Sequence, residues 1–114
     1  MTEQTTQQAI RLALSKGPTR LWRNNRGVLR DQQGRPVRFG LCEGSADLIG
    51  YTTVEITPDM VGQRIAVFAA VEVKSATGRL TPAQRAFLDH IQAAGGRAGI
   101  ARSIEDAKRI LGER

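Results

Sequence analysis

Hydrophobic residues near the start of the chain recur at the intervals of an α-helix. Four apolar positions within residues 4–15 fall three or four residues apart: Ala9, Ile10, Ala13 and Leu14. The Lys-Gly-Pro segment at 16–18 follows with a cation, a glycine and a helix breaker, which typically end a helix. The pattern therefore predicts an N-terminal helix over residues 4–15.

The middle of the chain predicts a series of strands. Residues 20–24 and 27–30 have the composition of short strands, whereas the polar stretch 31–39 indicates a turn or loop. Residues 47–54 predict another strand. The apolar run at 65–74 is typical of a central strand buried on both faces, because its charges appear only at the C-terminal end.

The C-terminal part predicts two helices around one strand. Thr81 and Gln84 form a T-x-x-Q capping box around a proline at the first helical position. Gly95 and Gly96 end this helix, and residues 97–101 predict a strand. Ser103 can cap a last amphipathic helix.

These elements predict an α/β fold in the order α-β-β-β-α-β-α, with a mixed central β-sheet flanked by helices. A chain of 114 residues has the size of one domain with one hydrophobic core. We therefore expect residues 1–114 to form a single domain. Aromatic residues make up only 4% of the chain, so aliphatic side chains must build that core.

The positive charge is concentrated at one end of the chain. The net charge is +6, and residues 1–40 contain eight Lys and Arg against two acidic residues, whereas the rest has nine of each. A basic segment favours a polyanionic partner such as nucleic acid, because neutralised phosphates release counterions. A solubilising surface is the simpler interpretation.

Within that basic third, the segment 21–27 combines basic, amide and aromatic side chains. The candidate DNA-contacting residues are Lys16, Arg20, Arg23, Asn24 and Arg26. Trp22 has two interpretations, since it can stack on a base or anchor the core.

Other features exclude several classes of protein. Cys42 is the only cysteine, which rules out an intramolecular disulfide and fits a reducing compartment. No Cys or His partner stands at metal-binding spacing, so a zinc site is not expected. No apolar run is long enough to span a bilayer, and the N-terminus lacks the pattern of a signal peptide. We expect a cytoplasmic protein without membrane contact.

Glu72 and Lys74 carry the most informative chemistry. Residues i and i+2 of a strand point to the same face, so both charged side chains project together. Charges at the end of a buried strand are costly unless they are paired or bind a metal. Acid-x-Lys triplets also arise by chance and form simple ion pairs, so this motif alone is weak evidence for catalysis.

Asp47 strengthens the catalytic interpretation. If residues 47–54 pair antiparallel with 65–74 through a hairpin over 57–64, Asp47 falls opposite Glu72. Two carboxylates beside the Lys74 ammonium group suit a hard cation such as Mg²⁺ or Mn²⁺. The metal would generate the nucleophile, and the lysine would offset developing negative charge.

Gln84 has two interpretations. In the capping box it is structural. One short loop after Lys74, it can instead orient a water or the scissile phosphate. We expect both roles to coexist only if its amide leaves the cap.

Longer motifs resemble the VRR-Nuc (virus-type replication-repair nuclease) domain of the PD-(D/E)XK nuclease superfamily. They are, in chain order, G-S-A-D-L-I-G from residue 44, T-P-x-M-V-G from 57, E-V-K from 72 and G-x-L-T-P-x-Q-x-x-F from 78. W-R-N-N-x-G from residue 22 and G-G-x-A-G-x-A-x-S from 95 also look like small stand-alone phage members. The resemblance covers nearly the whole chain.

The resemblance implies a restriction-endonuclease-like core and Mg²⁺- or Mn²⁺-dependent hydrolysis of DNA phosphodiester bonds. It implies that Asp47, Glu72 and the backbone carbonyl of Val73 hold the metal. Lys74 would be the catalytic lysine, with Gln84 beside it. Small members resemble Holliday junction resolvases, which implies a homodimer that acts on branched DNA.

One position departs from the family pattern. The family usually places a glutamate on the first helix, facing the site. Here that helix offers Gln7 and Gln8, and its only acid is Glu3. We expect Glu3 to fill the role, with the two glutamines as alternatives. The departure also motivates an alternative function, a non-catalytic nucleic-acid-binding module that retains the nuclease fold.

Overall fold

The computed structural model describes residues 2–113 of the chain. This part contains three α-helices, six β-strands and one short 3-10 helix. The chain divides into two compact units, Met1–Val54 and Glu55–Arg114. The result is a mixed α/β architecture with small sheets, as the alternation of patterns predicts.

The first unit begins with helix α1, Glu3–Leu14, one residue earlier at each end than predicted. Thr2 caps its start, because the Thr2 hydroxyl accepts a hydrogen bond from the Thr5 N–H at 3.1 Å. At its end, the Ser15 hydroxyl accepts from the Leu21 N–H at 2.6 Å. That bond ties the end of α1 to the next strand.

The four apolar residues that predicted α1 are nevertheless exposed, at 40% for Ile10 and 54% for Leu14. The half-buried positions of the helix are Gln7 and Arg11, one turn apart. The helix therefore contacts β1 through a largely polar stripe.

Strand β1, Thr19–Arg23, pairs antiparallel with β4, Leu48–Thr52. Trp22 lies opposite Ile49 and diagonal to Tyr51, and the Trp22 and Tyr51 rings are 5.9 Å apart between centroids. Trp22 is half-buried in this pair, which favours the anchoring role over base stacking.

Strands β2, Gly27–Arg30, and β3, Pro36–Phe39, form an antiparallel hairpin. The prediction of a loop throughout residues 31–39 was therefore wrong in its second half. Asp31 closes the turn because its carboxylate accepts from the Gln33 N–H at 2.9 Å and from the Arg35 N–H at 2.8 Å. The polar composition reflects this tight turn, and the strand after it is fully exposed.

The second unit is a β-α-β unit with one further helix. Strands β5, Ala69–Val73, and β6, Arg97–Ala101, are parallel, and helix α2, Pro82–Ala93, connects them. Helix α3, Ile104–Leu111, packs on β6, where Gly99 leaves room for the Ile110 side chain. The most buried hydrophobic residues of the described chain all belong to α2 and β6: Leu88, Ile91, Ala98 and Ala101.

The predicted order of elements needs correction. Five strands precede α2 where the predicted order has three. The first unit contains the antiparallel pairs β1–β4 and β2–β3, and the second contains the parallel pair β5–β6. A strand can pair along both of its edges, so the single mixed sheet and the pairing of 47–54 with 65–74 stay predictions. Only Ala69–Val73 of the apolar run is a strand, and it is not buried on both faces, since Val73 is 74% exposed. Hydrophobicity indicates a strand but does not select its partner.

The turn of the β2–β3 hairpin is expected to loosen in acid. The hydrogen bond from the Arg35 backbone is the largest cause that lowers the pKa of Asp31. A depressed folded-state pKa stabilises the turn above the ordinary carboxyl value of about 3.9, and this contribution is lost as the pH falls through the lower folded value. Amide hydrogen exchange at Gln33 and Arg35 across that range measures the effect.

Asp31→Asn provides the control for this pH series. It keeps an acceptor oxygen but loses the charge that pairs with the Arg35 guanidinium at 2.8 Å. We expect faster exchange at neutral pH and a flat acid response. An acid response that persists in this variant would contradict the assignment to Asp31.

Candidate active site

Glu72 and Lys74 lie side by side at the end of β5. The Lys74 N–H donates to the Ala101 carbonyl at 3.1 Å, so backbone pairing with β6 continues one residue beyond the strand. The Lys74 Nζ lies 3.4 Å from Glu72 Oε1, with the lysine side chain 19% and the glutamate side chain 33% exposed. The prediction that both side chains project from one face is confirmed.

Gln84 joins this pair without leaving its helix cap. Its Nε2 donates to Glu72 Oε1 at 2.8 Å, while its Oε1 accepts from the Thr81 N–H at 3.0 Å. The Thr81 hydroxyl in turn accepts from the Gln84 N–H at 3.1 Å. The expectation that Gln84 reaches the site only if its amide leaves the cap was wrong, because the amide has separate donor and acceptor atoms.

The position of Gln84 on α2 explains why it reaches the strand. Gln84, Leu88 and Ile91 stand at i, i+4 and i+7, so they share one stripe of the helix. Leu88 is 3% exposed and Ile91 is 1% exposed, so this stripe is the one that packs inward. The hydrophobic contacts that hold the helix on the sheet thereby aim its first turn at Glu72.

Two oxygen atoms at this strand end lie outside the bonds described so far. The ion pair with Lys74 and the hydrogen bond from Gln84 both use Glu72 Oε1, and Oε2 takes part in neither. The backbone groups of Phe68 and Lys74 form hydrogen bonds with residues of β6. In a parallel pair only alternate residues bond to the same neighbouring strand, so the Val73 carbonyl points to the opposite edge of β5. Carboxylate and carbonyl oxygens are ligands of hard cations such as Mg²⁺.

These donors fit a cation that keeps most of its waters. Mg²⁺ is commonly held by one or two carboxylates, with water and substrate phosphate completing its coordination. No group of three or more His, Cys, Asp or Glu side chains suited to a metal occurs within residues 2–113. A metal at Glu72 would thus be held by few protein ligands.

Asp47 belongs to the first unit, directly before β4. Its side chain is exposed, and its backbone carbonyl accepts from the Asn24 N–H at 2.8 Å. It lines an open cleft of about 250 Å³ whose other lining residues are mostly polar or basic: Gln7, Arg23, Asn24, Asn25, Arg26 and Ser45.

The first helix contributes Gln7, and not Glu3, to the cleft that holds Asp47. Glu3 is exposed in the first turn of α1, where a carboxylate complements the positive end of the helix dipole. Helical spacing contains the signal for this placement. Gln7 shares the half-buried stripe with Arg11, whereas the choice of Glu3 was based on charge alone.

Asn24 holds the loop that precedes Asp47, a role that the sequence did not reveal. Its amide nitrogen donates to Ser45 Oγ at 2.6 Å and to the Ala46 carbonyl at 2.9 Å. Its amide oxygen accepts from the Leu41 N–H at 3.1 Å. The side chain that was predicted to contact DNA is instead used within the fold.

The other predicted DNA-contacting residues differ in the exposure and the hydrogen bonding of their side chains. The Arg20 guanidinium donates to the carbonyls of Gly17 at 2.9 Å and Thr19 at 2.7 Å, so it braces its own turn. Lys16, Arg23 and Arg26 are exposed. Arg23 and Arg26 line the cleft with Asp47, which keeps them candidates for phosphate contact.

The family model of the VRR-NUC domain matches residues 1–105 of the chain. The chain belongs to the VRR-NUC family. Membership implies a nuclease-type function with DNA as the substrate. The comparisons gave no match among curated proteins or among solved structures. None of the helices within residues 2–113 has the length and hydrophobicity needed to cross a membrane.

Substitution of Gln84 separates its two roles in this VRR-NUC chain. Gln84→Glu keeps the side-chain acceptor for the Thr81 N–H but loses the donor to Glu72, whereas Gln84→Ala loses both. We expect only the alanine variant to lose helix-cap stability, by about 1 kcal/mol. Both should lower nuclease activity about 10- to 100-fold, as for other partners that orient a metal ligand.

Thermal unfolding and cleavage rates, measured on the same preparations, check this expectation. Gln92→Ala is not a suitable control, because Gln92 bonds to the Ala98 carbonyl. Ala83→Gln at the exposed second helical position is the matched control. If Gln84→Glu cleaves DNA at the wild-type rate, the assignment of Gln84 to the active site is wrong.

Asn24→Ala should destabilise the loop before Asp47. Three hydrogen bonds at a half-buried side chain are lost, and the groups left behind cost about 1–3 kcal/mol in unfolding free energy. Asn25→Ala is the matched control, since Asn25 is the same residue type and is exposed. Denaturant unfolding and amide exchange at Leu41 give the comparison, and equal stability of the two variants would contradict it.

Proposed function

We propose that this VRR-NUC protein is a metal-dependent endodeoxyribonuclease whose chemistry is centred on Glu72 and Lys74. The observation that carries the proposal is the state of Glu72. One carboxylate oxygen is held by Lys74 at 3.4 Å and Gln84 at 2.8 Å, while the other takes part in neither contact. A carboxylate held in this way is oriented for an additional ligand.

The side chains around Glu72 have complementary tasks. Gln84 fixes the rotation of the carboxylate through one hydrogen bond from a neutral amide, so it adds no charge of its own. Lys74 supplies a compact positive charge that can contact the scissile phosphate and offset the negative charge that develops during attack by water. Its partial burial strengthens the electrostatic attraction between the ammonium group and a phosphate, because fewer waters screen the charge.

Glu72 Oε2 and the Val73 carbonyl are the protein ligands that we propose for Mg²⁺ or Mn²⁺. When bound, such an ion polarises the phosphate and lowers the pKa of a coordinated water. Asp47 is the second carboxylate that the sequence motif predicts for the same ion. That role stays a prediction, which Asp47→Asn tests through the concentration of Mn²⁺ needed for half-maximal cleavage.

Branched DNA is the proposed substrate, and a homodimer is the proposed active form. A two-fold dimer presents a pair of identical sites, which suits symmetric cuts across a four-way junction. Cleavage of a four-way junction, a linear duplex and a single strand should then differ in rate. Sedimentation at micromolar protein measures the oligomeric state separately.

Loss of either charged residue should strongly lower the rate of cleavage. Lys74→Ala is expected to lower the rate about 10²–10³-fold, as when one group that stabilises a transition state is removed. Glu72→Ala should lower the cleavage rate by more than the roughly 10- to 100-fold that is typical for a residue that only supports a metal ligand. Gel assays on labelled junction DNA with Mg²⁺, Mn²⁺ or a chelator provide the rates.

Glu105→Ala and Lys108→Ala are the matched controls, because both residues are exposed on α3. They should cleave at the wild-type rate. Cleavage by Glu72→Ala would refute the site assignment. Tight DNA binding by the wild type with no product under any cation would favour the alternative, a nucleic-acid-binding module that keeps the nuclease fold.

A further inference from the structure

The β2–β3 hairpin has two chemically different faces. Residues opposite each other in an antiparallel pair share a face, and the register pairs Leu29 with Val37 and Val28 with Arg38. One face therefore carries Leu29, Val37 and Phe39, and the Phe39 ring lies over Gly27. The other face carries Arg30 and Arg38 as diagonal neighbours, with Val28 directly opposite Arg38.

Arg26 extends this second face toward the base of the hairpin. Continued by one residue, the register places Arg26 opposite Gly40, and a side chain at Gly40 would collide with the Arg26 Cγ, so the arginine stem crosses the ribbon there. Arg26, Arg38 and Glu43 line the same open cleft of about 420 Å³. Arg26, Arg30 and Arg38 thus form one row, which we call the basic face.

The arginines of the basic face are exposed, and most of their charge is uncompensated. None of the ion pairs within residues 2–113 involves Arg26, Arg30 or Arg38. Arg35 differs, because it pairs with Asp31 in the turn. Arg30 donates one bond, to the Gly34 carbonyl at 2.7 Å, which leaves most of its five donors unused.

We propose that the basic face of the hairpin binds the phosphate backbone of DNA. Diagonal neighbours on a ribbon lie about 7–8 Å apart, so the three arginines present a line of forked donors rather than a single charge. Guanidinium groups bind phosphate oxygens in a bidentate manner. The inference rests on the proposed nuclease function for its choice of polyanion, and it assigns Arg30 and Arg38 to a contact surface.

Phosphate contact has a measurable signature in the salt dependence of binding. The slope of log affinity against log salt should fall by about 0.9 for each phosphate contact removed from duplex DNA. Arg30→Gln with Arg38→Gln should therefore reduce the slope by about 1.8 and weaken binding about tenfold or more. The loss should be equal for duplexes of different sequence, since phosphates carry no base information.

The experiment is fluorescence anisotropy with labelled duplex and junction DNA in a chelator, so that no cleavage occurs. Arg64→Gln with Lys108→Gln is the matched control, because it removes two exposed positive charges elsewhere in the chain. The single variant Arg38→Gln is measured as well, because Arg30→Gln also removes the hydrogen bond from Arg30 to the Gly34 carbonyl. Amide exchange at Gln33 verifies that the turn is intact in each variant.

The outcomes separate this proposal from the proposed function. A slope and affinity equal to those of the control pair, with an intact hairpin, would overturn the role of the basic face while leaving cleavage results untouched. Absence of any cleavage by the wild type would overturn the nuclease proposal, yet the binding series would still report on the hairpin. Recovery of affinity by Arg38→Lys would support a charge contact.

Discussion

One amide side chain couples the start of a helix to the end of a strand. The Gln84 oxygen satisfies a backbone N–H that α2 leaves unpaired, and its nitrogen holds the Glu72 carboxylate at 2.8 Å. Neither bond can shift without affecting the other. The geometry at Glu72 therefore depends on the packing of α2, which Leu88 and Ile91 secure at 3% and 1% exposure.

This coupling explains why a glutamine suits the position better than its charged counterpart. Glutamate satisfies the capping box equally well, but it would place a second negative charge against Glu72. Lysine would remove the acceptor that the Thr81 N–H needs. Only a side chain with both a donor and an acceptor serves the cap and the carboxylate, while the Lys74 ammonium group remains the local positive charge.

Local signals in the sequence predicted more of this chain than its long-range pairings. The T-x-x-Q box, the bounds of β6 and the shared face of Glu72 and Lys74 follow from neighbours in sequence, and the structure has all three. The partner of β4 does not follow in this way. Its apolar residues suit β1 as well as any other strand, and no local signal in the sequence pointed to the β1–β4 pair.

In the first unit, residues that were assigned to different functions by their chemical type belong to one hydrogen-bonded structure. Asn24 and Asp47 were assigned to different tasks, DNA contact and metal binding, because they lie in separate motifs. In the fold, the Asn24 N–H donates to the Asp47 carbonyl, and the Asn24 amide holds Ser45 and Ala46 just before it. The W-R-N-N and G-S-A-D stretches thus form one hydrogen-bonded structure. Any effect of Asn24 substitutions on DNA binding must therefore be separated from an effect of displacing Asp47. Arg30 and Arg38 of the hairpin lie outside that network, so their substitution tests phosphate contact directly.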